Sequence, residues 1–183
     1  MPELPEVETT VKSLNILKNK KVTNLNVYVK KLRYPVPSIR LKRIINSHIT
    51  NLRRISKYVI LDFDNFHTMI VHLGMSGRLK IVTTDRFRDK HDHLSIKFNN
   101  NSYLLYNDPR RFGFIDIVES DRLTDLKYIK KLGIDALDKD FSIDYLFKKV
   151  EKSEVLIKQI LLNQYIVAGI GNIYASEILF DAK

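Results

Sequence analysis

The first five residues, MPELP, bring together groups that can act in catalysis. Removal of Met1, which we expect because the next side chain is small, makes Pro2 an N-terminal secondary amine. An α-amino group titrates near about pH 8, so roughly a tenth of it is unprotonated at pH 7. Such an amine can attack a carbonyl-like carbon, and its adduct is an iminium ion that withdraws electrons without needing a proton. Glu3, the next residue, can donate or accept the protons involved.

The same stretch also fits an ordinary helix start. Pro5 suits the first turn of a helix, and Glu6 lies where the helix dipole favours a carboxylate. Apolar residues then recur at helical spacing, which predicts a helix over about residues 5–18. Its buried face contains Val7, Val11, Leu14 and Leu17. Taken alone, the stretch favours this structural interpretation, and the rest of the chain decides between the two.

The net charge favours a polyanionic partner. The 31 Lys and Arg residues outnumber the 21 Asp and Glu residues and give a net charge of +10, so nucleic acid is the first candidate.

The rest of the composition excludes several classes of protein. The 183 residues are 44% hydrophobic, which is enough for a buried core. The lack of cysteine excludes disulfides, thiolate catalysis and cysteine-based zinc sites within this sequence. The sequence has neither a signal peptide nor a membrane-spanning apolar run, so we expect a cytoplasmic protein.

Strand-like segments dominate the first two thirds of the chain. They are short, rich in β-branched and aromatic residues, and separated by turn signals, which predicts an antiparallel sandwich or barrel. The predicted strands are 22–29, 48–55, 58–64, 67–73, 78–82, 93–98, 103–108 and 112–118.

Helical patterns follow from Asp121 onward. We predict helices over 121–133, 142–152, 154–165 and 172–180, the last one after the glycine-flanked turn AGIG. This change of pattern divides the chain into a β domain over 1–134 and a helical module over 135–183. The last helix has no terminating Gly or Pro before the sequence stops, so we expect an incomplete chain.

Five motifs in order resemble the bacterial formamidopyrimidine-DNA glycosylases. They are PELPEVETT at the start, SKYV (56–59), HLGMSGRL (72–79), KHDH with NDPRRFG (90–93 and 107–113), and GIGNIYASEILF (169–180). Leu4 in place of glycine favours this branch over the endonuclease VIII-like one. The resemblance implies an α+β fold, with an N-terminal antiparallel β-sandwich and flanking helices followed by an incomplete helix–two-turn–helix module.

The resemblance implies a base-excision repair enzyme that removes oxidised purines, namely formamidopyrimidines and 8-oxoguanine. Pro2 would attack the sugar carbon C1′ through a Schiff base and support β/δ-elimination at the resulting abasic site. Glu3 would be the acid and base, with Glu6 in support. Lys57 would contact a phosphate next to Pro2; the structural alternative is a solvated lysine on an edge strand, sharing a face with Arg53.

Three residues of these motifs are implied to enter the DNA duplex. Met75, Arg110 and Phe112 would fill the space left by an extruded nucleotide, which costs a few kcal/mol to unstack. His72 would lie beside a phosphate. The structural alternatives are a core methionine, a surface arginine and a buried strand aromatic.

The remaining DNA contacts implied by the resemblance are His91, Lys158 and Asn172. His91 and His93 lie on one face of a predicted strand, but two histidines without a third ligand do not make a metal site, and we assign no metal. Lys158 would contact the lesion strand. Asn172 would bind a phosphate at the start of a helix, where free N–H groups favour anions; a simple N-cap is the alternative.

The sequence departs from the family in its length. Family members continue with a zinc finger and a loop that closes over 8-oxoguanine, so we expect no cofactor in this chain, weaker DNA binding and poor lesion recognition. The expected partner is double-stranded DNA with oxidised purines or abasic sites. We expect the protein to be a monomer that does not bind a membrane.

The alternative functions are a non-catalytic or residually active DNA-binding remnant, and an RNA-binding β-barrel protein, for which no stacking-aromatic motif is found. Binding of any nucleic acid should weaken steeply with salt.

Overall fold

In the described residues, eight antiparallel strands lie between residues 22 and 119. A computed structural model describes residues 2–84 and 88–183, so the expected loss of Met1 concerns a residue outside this range. All eight predicted strand segments contain a strand. The strands are β1 (Val22–Val27), β2 (Ile49–Ile55), β3 (Tyr58–Phe63), β4 (His67–His72), β5 (Arg78–Val82), β6 (Asp92–Phe98), β7 (Tyr103–Asn107) and β8 (Phe114–Glu119).

The strands form two four-stranded sheets. The order is β1-β6-β7-β5 in one sheet and β2-β3-β4-β8 in the other, with antiparallel pairing throughout. The inward-facing side chains of both sheets form one buried cluster, so the predicted sandwich is confirmed and the barrel is wrong. The outer face of the second sheet is also buried, because Leu123 and Ile129 pack over Ile60 and Ile70.

The first helix closes one end of the sandwich. Helix α1 (Leu4–Leu14) continues as a 3-10 turn over Asn15–Leu17, close to the predicted range. The four apolar residues predicted to face the core are all buried. A short helix α2 (Ser38–Leu41) and the 3-10 turn Lys42–Ile44 were not predicted.

The helices that follow the sandwich are shorter than predicted. A 3-10 helix (Ser120–Asp125) and α3 (Lys127–Lys130) replace the continuous helix over 121–133, because Leu126 between them has an extended backbone. Helix α4 (Ile143–Val150) begins after Ser142, and α5 covers only Ile157–Leu162. Helix α6 (Asn172–Ala182) starts where predicted.

A pair of short parallel strands was not predicted. Strand β9 (Ile134–Asp135) pairs with β10 (Val167–Ala168), so the segment at residue 134 is tied to the helical module. The domain boundary at residue 134 stays a prediction. Within the described ranges, no helix is long and apolar enough to cross a membrane.

Two isoleucines of the segment 38–44 provide a test of the core. Ile44 is fully buried in the sandwich cluster, whereas Ile39 is 85% exposed. We expect Ile44→Ala to lower the free energy of unfolding by about 2–5 kcal/mol, because it leaves a cavity. The control Ile39→Ala should change it by less than about 0.5 kcal/mol in the same urea titration. Equal effects would contradict this description of the core.

Candidate active site and nucleic-acid interface

A cleft of about 460 Å³ lies between the sandwich and the helical module. It contains three of the predicted site residues, namely Pro2, Lys57 and His72. These come from the N-terminus, from the β2–β3 turn and from the end of β4, so the fold brings together parts of the sequence that lie far apart. The other lining residues are Arg33, Ser56, Tyr58, Gly74, Tyr128, Leu132, Leu162, Asn163, Gln164 and Tyr165.

Glu3 is fully buried next to this cleft, and its carboxylate binds the start of helix α6. The backbone N–H groups of Gly171 and Ile173 donate to it at 2.9 Å, and that of Tyr174 donates at 3.2 Å. A side chain at residue 171 would not fit, because its Cβ would lie 2.3 Å from the Glu3 carboxyl carbon. A residue from the start of the chain therefore caps a helix near its end.

This arrangement corrects one interpretation of Asn172. The N-cap position of α6 belongs to Gly171, and Asn172 is the first helical residue, so the N-cap alternative is wrong. Asn172 is exposed at a helix N-terminus. Its expected phosphate contact stays a prediction.

Glu6 supports Glu3 from the first turn of α1. The Glu6 carboxylate accepts a hydrogen bond from the backbone N–H of Glu3 at 2.9 Å, as in a capping box. It also lies 3.5 Å from the Tyr174 hydroxyl. The helix-start interpretation is thus correct for Glu6 and for Glu3, which is the N-cap residue of α1, and the carboxylate of Glu3 also binds the start of α6.

Lys57 lies in the two-residue turn between β2 and β3, so the alternative of a solvated lysine on an edge strand is wrong. Its Nζ donates to the carbonyl of Ile170 at 2.9 Å. Burial lowers the pKa of Lys57, and the nearby charge of Glu3 partly offsets this shift. The ammonium group is therefore held at the wall of the cleft. Its partner, the carbonyl of Ile170, belongs to the residue before Gly171, whose N–H donates to Glu3.

His72 is part of an aromatic wall. Its ring stacks on Phe114 with centroids 5.5 Å apart and lies 5.2 Å from the ring of Tyr58. Burial, together with the charges of Arg33 and Lys57, lowers the pKa of His72 to about 4, and the charge of Asp108 partly offsets this shift. Its Nδ1 lies 3.1 Å from the N–H of Gly74 and accepts that hydrogen bond. At neutral pH the ring is therefore uncharged and its proton is on Nε2.

The three predicted insertion residues lie on two turns that touch. Met75 follows β4 and is 42% exposed, and Phe112 precedes β8 and is 46% exposed, so the core alternatives for both are wrong. The Arg110 guanidinium lies 4.8 Å from the centre of the Phe112 ring. A Cβ at Gly74 would lie 2.4 Å from the Gly113 nitrogen, which shows how closely the two backbones approach. Arg110 is exposed, so its surface alternative stays open.

Sequence reasoning missed Asp108, which holds these two turns together. Its buried carboxylate accepts hydrogen bonds from the Gly113 N–H at 2.9 Å and the Tyr106 hydroxyl at 3.2 Å. It also accepts one from the Ser76 hydroxyl, which in turn accepts one from the Arg110 N–H at 3.1 Å. The Asp-Pro turn signal in NDPRRFG was visible in the sequence, but the burial of the carboxylate was not.

The two histidines of KHDH do not share a strand face. Strand β6 begins at Asp92, so His91 precedes it. His93 is buried with Nε2 2.8 Å from the carbonyl of Asp108, and it supports the same turn. His91 is half-exposed outside the cleft, and its expected DNA contact stays a prediction. In the part of the chain that the structure describes, no group of three or more metal-ligating side chains is found.

Lys158 and Asn172 are brought together by one serine. Lys158 Nζ donates to the Ser176 hydroxyl at 2.9 Å, and this hydroxyl donates to the carbonyl of Asn172 at 2.8 Å. Lys158 lies on α5 and Asn172 is the first residue of α6, and neither lines the cleft. The expected contacts of Lys158 with the lesion strand and of Asn172 with a phosphate stay predictions.

The pKa of His72 predicts how stability depends on pH. Because its pKa of about 4 in the folded state is below the unfolded value near 6.5, the unfolded state binds the proton more tightly. Its contribution to stability is complete above pH 6.5 and is lost as pH falls toward 4, by about 3 kcal/mol in all. Urea titrations between pH 4 and 7 should show that His72→Gln lacks this fall. Parallel curves for the variant and the wild type would contradict the prediction.

Comparisons with known proteins agree with this geometry. Residues 1–115 match the model of the formamidopyrimidine-DNA glycosylase N-terminal domain, and residues 132–183 match that of its H2TH domain. The formamidopyrimidine-DNA glycosylase of Zymomonas mobilis is 45% identical over 100% of this chain and 67% of its own length. That of Acinetobacter baylyi is 41% identical over 99% of this chain and 65% of its own length.

Solved structures give the same result. Lactococcus lactis Fpg in complex with abasic-site DNA has a TM-score of 0.89 and 34% identity, over 97% of this chain and 66% of that chain. MutM in complex with carbocyclic 8-oxo-G DNA has the same TM-score and identity, over 97% of this chain and 68% of that one. The α+β fold is thereby confirmed, and the chain spans about two thirds of the length of these relatives. It belongs to the formamidopyrimidine-DNA glycosylase family of DNA repair proteins.

Proposed function

We propose that this chain is a DNA glycosylase and abasic-site lyase that uses Pro2 as its nucleophile. The observation that carries the proposal is the position of Pro2 in a cleft beside Lys57 and His72, with the buried carboxylate of Glu3 next in the chain. The substrate is double-stranded DNA with formamidopyrimidines, 8-oxoguanine or abasic sites. Relatives that bind such DNA support this substrate class.

The reaction begins with attack of the uncharged Pro2 nitrogen on C1′ of the damaged nucleotide. The bond from C1′ to the base breaks, and its electron pair leaves with the base. The Pro2 nitrogen then loses its proton, and cleavage of the C1′–O4′ bond gives the iminium ion while O4′ takes up a proton. Removal of a proton from C2′ expels the 3′ phosphate, and a second elimination expels the 5′ phosphate.

Glu3 is the residue placed to move these protons. It follows Pro2 directly, and its carboxylate oxygens receive backbone N–H donors, which suit an anionic acceptor. It can therefore accept the proton that Pro2 releases and return it to a leaving oxygen. Glu6 holds the Glu3 backbone and so fixes the direction of its side chain.

Lys57 and His72 provide two different phosphate contacts in the cleft. The Lys57 ammonium is a point charge, whereas neutral His72 offers only an N–H donor. A neutral donor orients a phosphate without holding it by charge. Lys158 and Asn172 extend these contacts to the start of α6.

Met75, Arg110 and Phe112 are the residues that take the place of the extruded nucleotide. The exposed side chains of Met75 and Phe112 can enter the base stack, and the Arg110 guanidinium can bind the unpaired base. Asp108 fixes the turns on which they lie. A rigid support is what an inserted wedge requires, since unstacking costs a few kcal/mol.

The second candidate function is a non-catalytic or residually active DNA-binding remnant. The observation that favours it is the net charge of +10, which favours binding of a polyanion and does not require catalysis. The cysteines that hold zinc in longer family members have no counterpart here, so no residue of this chain fits that zinc site. A cytoplasmic, monomeric protein with no cofactor in these 183 residues is part of the proposal under either candidate.

Pro2→Gly separates the two candidates. Borohydride should trap a covalent complex of the wild-type chain with abasic-site DNA, after mass spectrometry has verified that Met1 is removed. We expect Pro2→Gly to lose at least about 100-fold in trapping rate, because glycine gives a primary amine on a flexible residue. DNA binding in a gel-shift assay should change by less than about threefold.

The matched control is Pro37→Gly, which makes the same change in the loop before α2. It should keep the wild-type trapping rate. An unchanged rate in Pro2→Gly would exclude Pro2 as the nucleophile, and a wild-type chain that binds DNA but is never trapped would favour the remnant.

Phe112→Ala tests the wedge. We expect it to lower the rate of excision from a lesion-bearing duplex by about tenfold or more, because nothing fills the gap left by extrusion. The free energy of unfolding should change little, since the ring is 46% exposed. Phe66→Ala is the control, because Phe66 is 81% exposed at the opposite end of β4 from His72. Equal excision by both variants would show that Phe112 is not a wedge.

A further inference from the structure

Gln164 lies in the turn after α5, and its side chain is fully engaged within the protein. Its Oε1 accepts a hydrogen bond from the Gly169 N–H at 2.9 Å. Its Nε2 donates to the carbonyl of Ile170 at 2.7 Å and to that of Leu162 at 3.1 Å. A backbone N–H can only donate and a carbonyl can only accept, so these partners fix the orientation of the amide. Both N–H donors are used, and Oε1 also lies 3.5 Å from the Ser56 hydroxyl.

The turn that Gln164 holds leads directly to the donors of Glu3. The Ile170 carbonyl accepts from Gln164 and also from Lys57 Nζ, so two side chains hold the same peptide group. The next N–H along the chain belongs to Gly171, and it donates to Glu3. The position of Ile170 therefore sets the position of the first N–H that the carboxylate receives.

A second contact ties the same turn to the start of the chain. The N–H of Leu4 donates to the Gly169 carbonyl at 3.3 Å, while the Gly169 N–H is held by Gln164. The peptide groups on both sides of Gly169 thus link Gln164 to the residue that follows Glu3. Gln164 lines the cleft that contains Pro2, but its amide is directed at the turn and not at a substrate.

We propose that Gln164 is a positioning residue for the reaction. It fixes the 169–171 turn so that the first N–H groups of α6 hold Glu3 at the correct place beside Pro2. Gln164 acts through Glu3 and does not touch the reacting sugar. The catalytic part of this inference rests on the proposed function, whereas its geometric part does not.

Two substitutions remove the contacts without removing the bulk of the side chain. Gln164→Glu has the same shape, but it places a carboxylate oxygen against the carbonyls of Leu162 and Ile170 in place of the two donors. Gln164→Met has a similar length and adds no charge. The chain has one other glutamine, Gln159, which is exposed on α5. Gln159→Glu therefore controls for the added charge.

The first experiment compares rate with affinity for DNA. Single-turnover borohydride trapping on an abasic-site duplex gives the rate, and a tetrahydrofuran-site duplex gives the Kd. We expect both Gln164 variants to lose about tenfold or more in trapping rate relative to Gln159→Glu. Their Kd should stay within about threefold of that control. A loss of rate that is matched by an equal loss of affinity would overturn the inference.

The double variant with Glu3→Gln tests whether Gln164 acts through Glu3. In this background Gln164→Met should cause no further loss, since the interaction that it disturbs is already absent. A residue that only stabilises the fold would cause the same loss in both backgrounds, and that result would overturn the proposal.

Hydrogen exchange without DNA tests the geometric part by itself. We expect Gln164→Met to speed exchange at the amides of Gly171, Ile173 and Tyr174, relative to the sandwich strands, while Gln159→Glu leaves them unchanged. Unchanged exchange in Gln164→Met would overturn the inference. If the wild-type chain gives no trapped adduct, the proposed function fails, and the exchange result still decides whether Gln164 positions the turn.

Discussion

The hydrogen bonds between the Glu3 carboxylate and the start of α6 are the constraint on which the site depends. A fully buried carboxylate is costly unless donors replace its water, and three backbone N–H groups do so here. The positive end of the helix dipole adds to this stabilisation. Because Pro2 precedes Glu3 directly, the position of Pro2, the proposed nucleophile, follows from that of a helix 170 residues away in sequence.

Other polar links between the sandwich and the helical module surround this contact. The Arg54 side chain, which is 11% exposed, donates to Glu8 on α1 at 2.9 Å and pairs with Asp135 of β9. Lys57 donates to the carbonyl of Ile170 on the other side of the same interface. These bonds are directional, so they specify how the two parts meet, whereas apolar contacts alone would permit sliding.

The sequence was sufficient for the parts of the fold that depend on local pattern. Eight strands could be predicted because alternating apolar residues and turn signals act over a few positions. The helix over 121–133 was extended too far, since its composition does not reveal the extended backbone at Leu126. Short elements such as β9 and β10 have too few residues to carry a pattern.

The residues of the candidate site likewise include some that the sequence could predict and some that it could not. The motifs identified Pro2, Lys57 and His72, which line one cleft, and the two turns that contain Met75 and Phe112, which lie against each other. The hydrogen bonds of Asp108 and Gln164 carry no such signal, because the fold supplies the partners of these polar side chains. The role of Glu3 as a cap for α6 could likewise not be predicted, because its partners at residues 171–174 are far from it in sequence.

The link between the two ends of the chain also bears on the order of events during synthesis. The ribosome releases Pro2 and Glu3 early, but the amides that bind Glu3 belong to residues 171–174, which are synthesised about 170 residues later. The sandwich, complete by residue 119, can therefore form while the carboxylate still faces water. Nascent chains that stop before residue 171 would contain Pro2, the proposed nucleophile, but not the amides that hold Glu3 beside it.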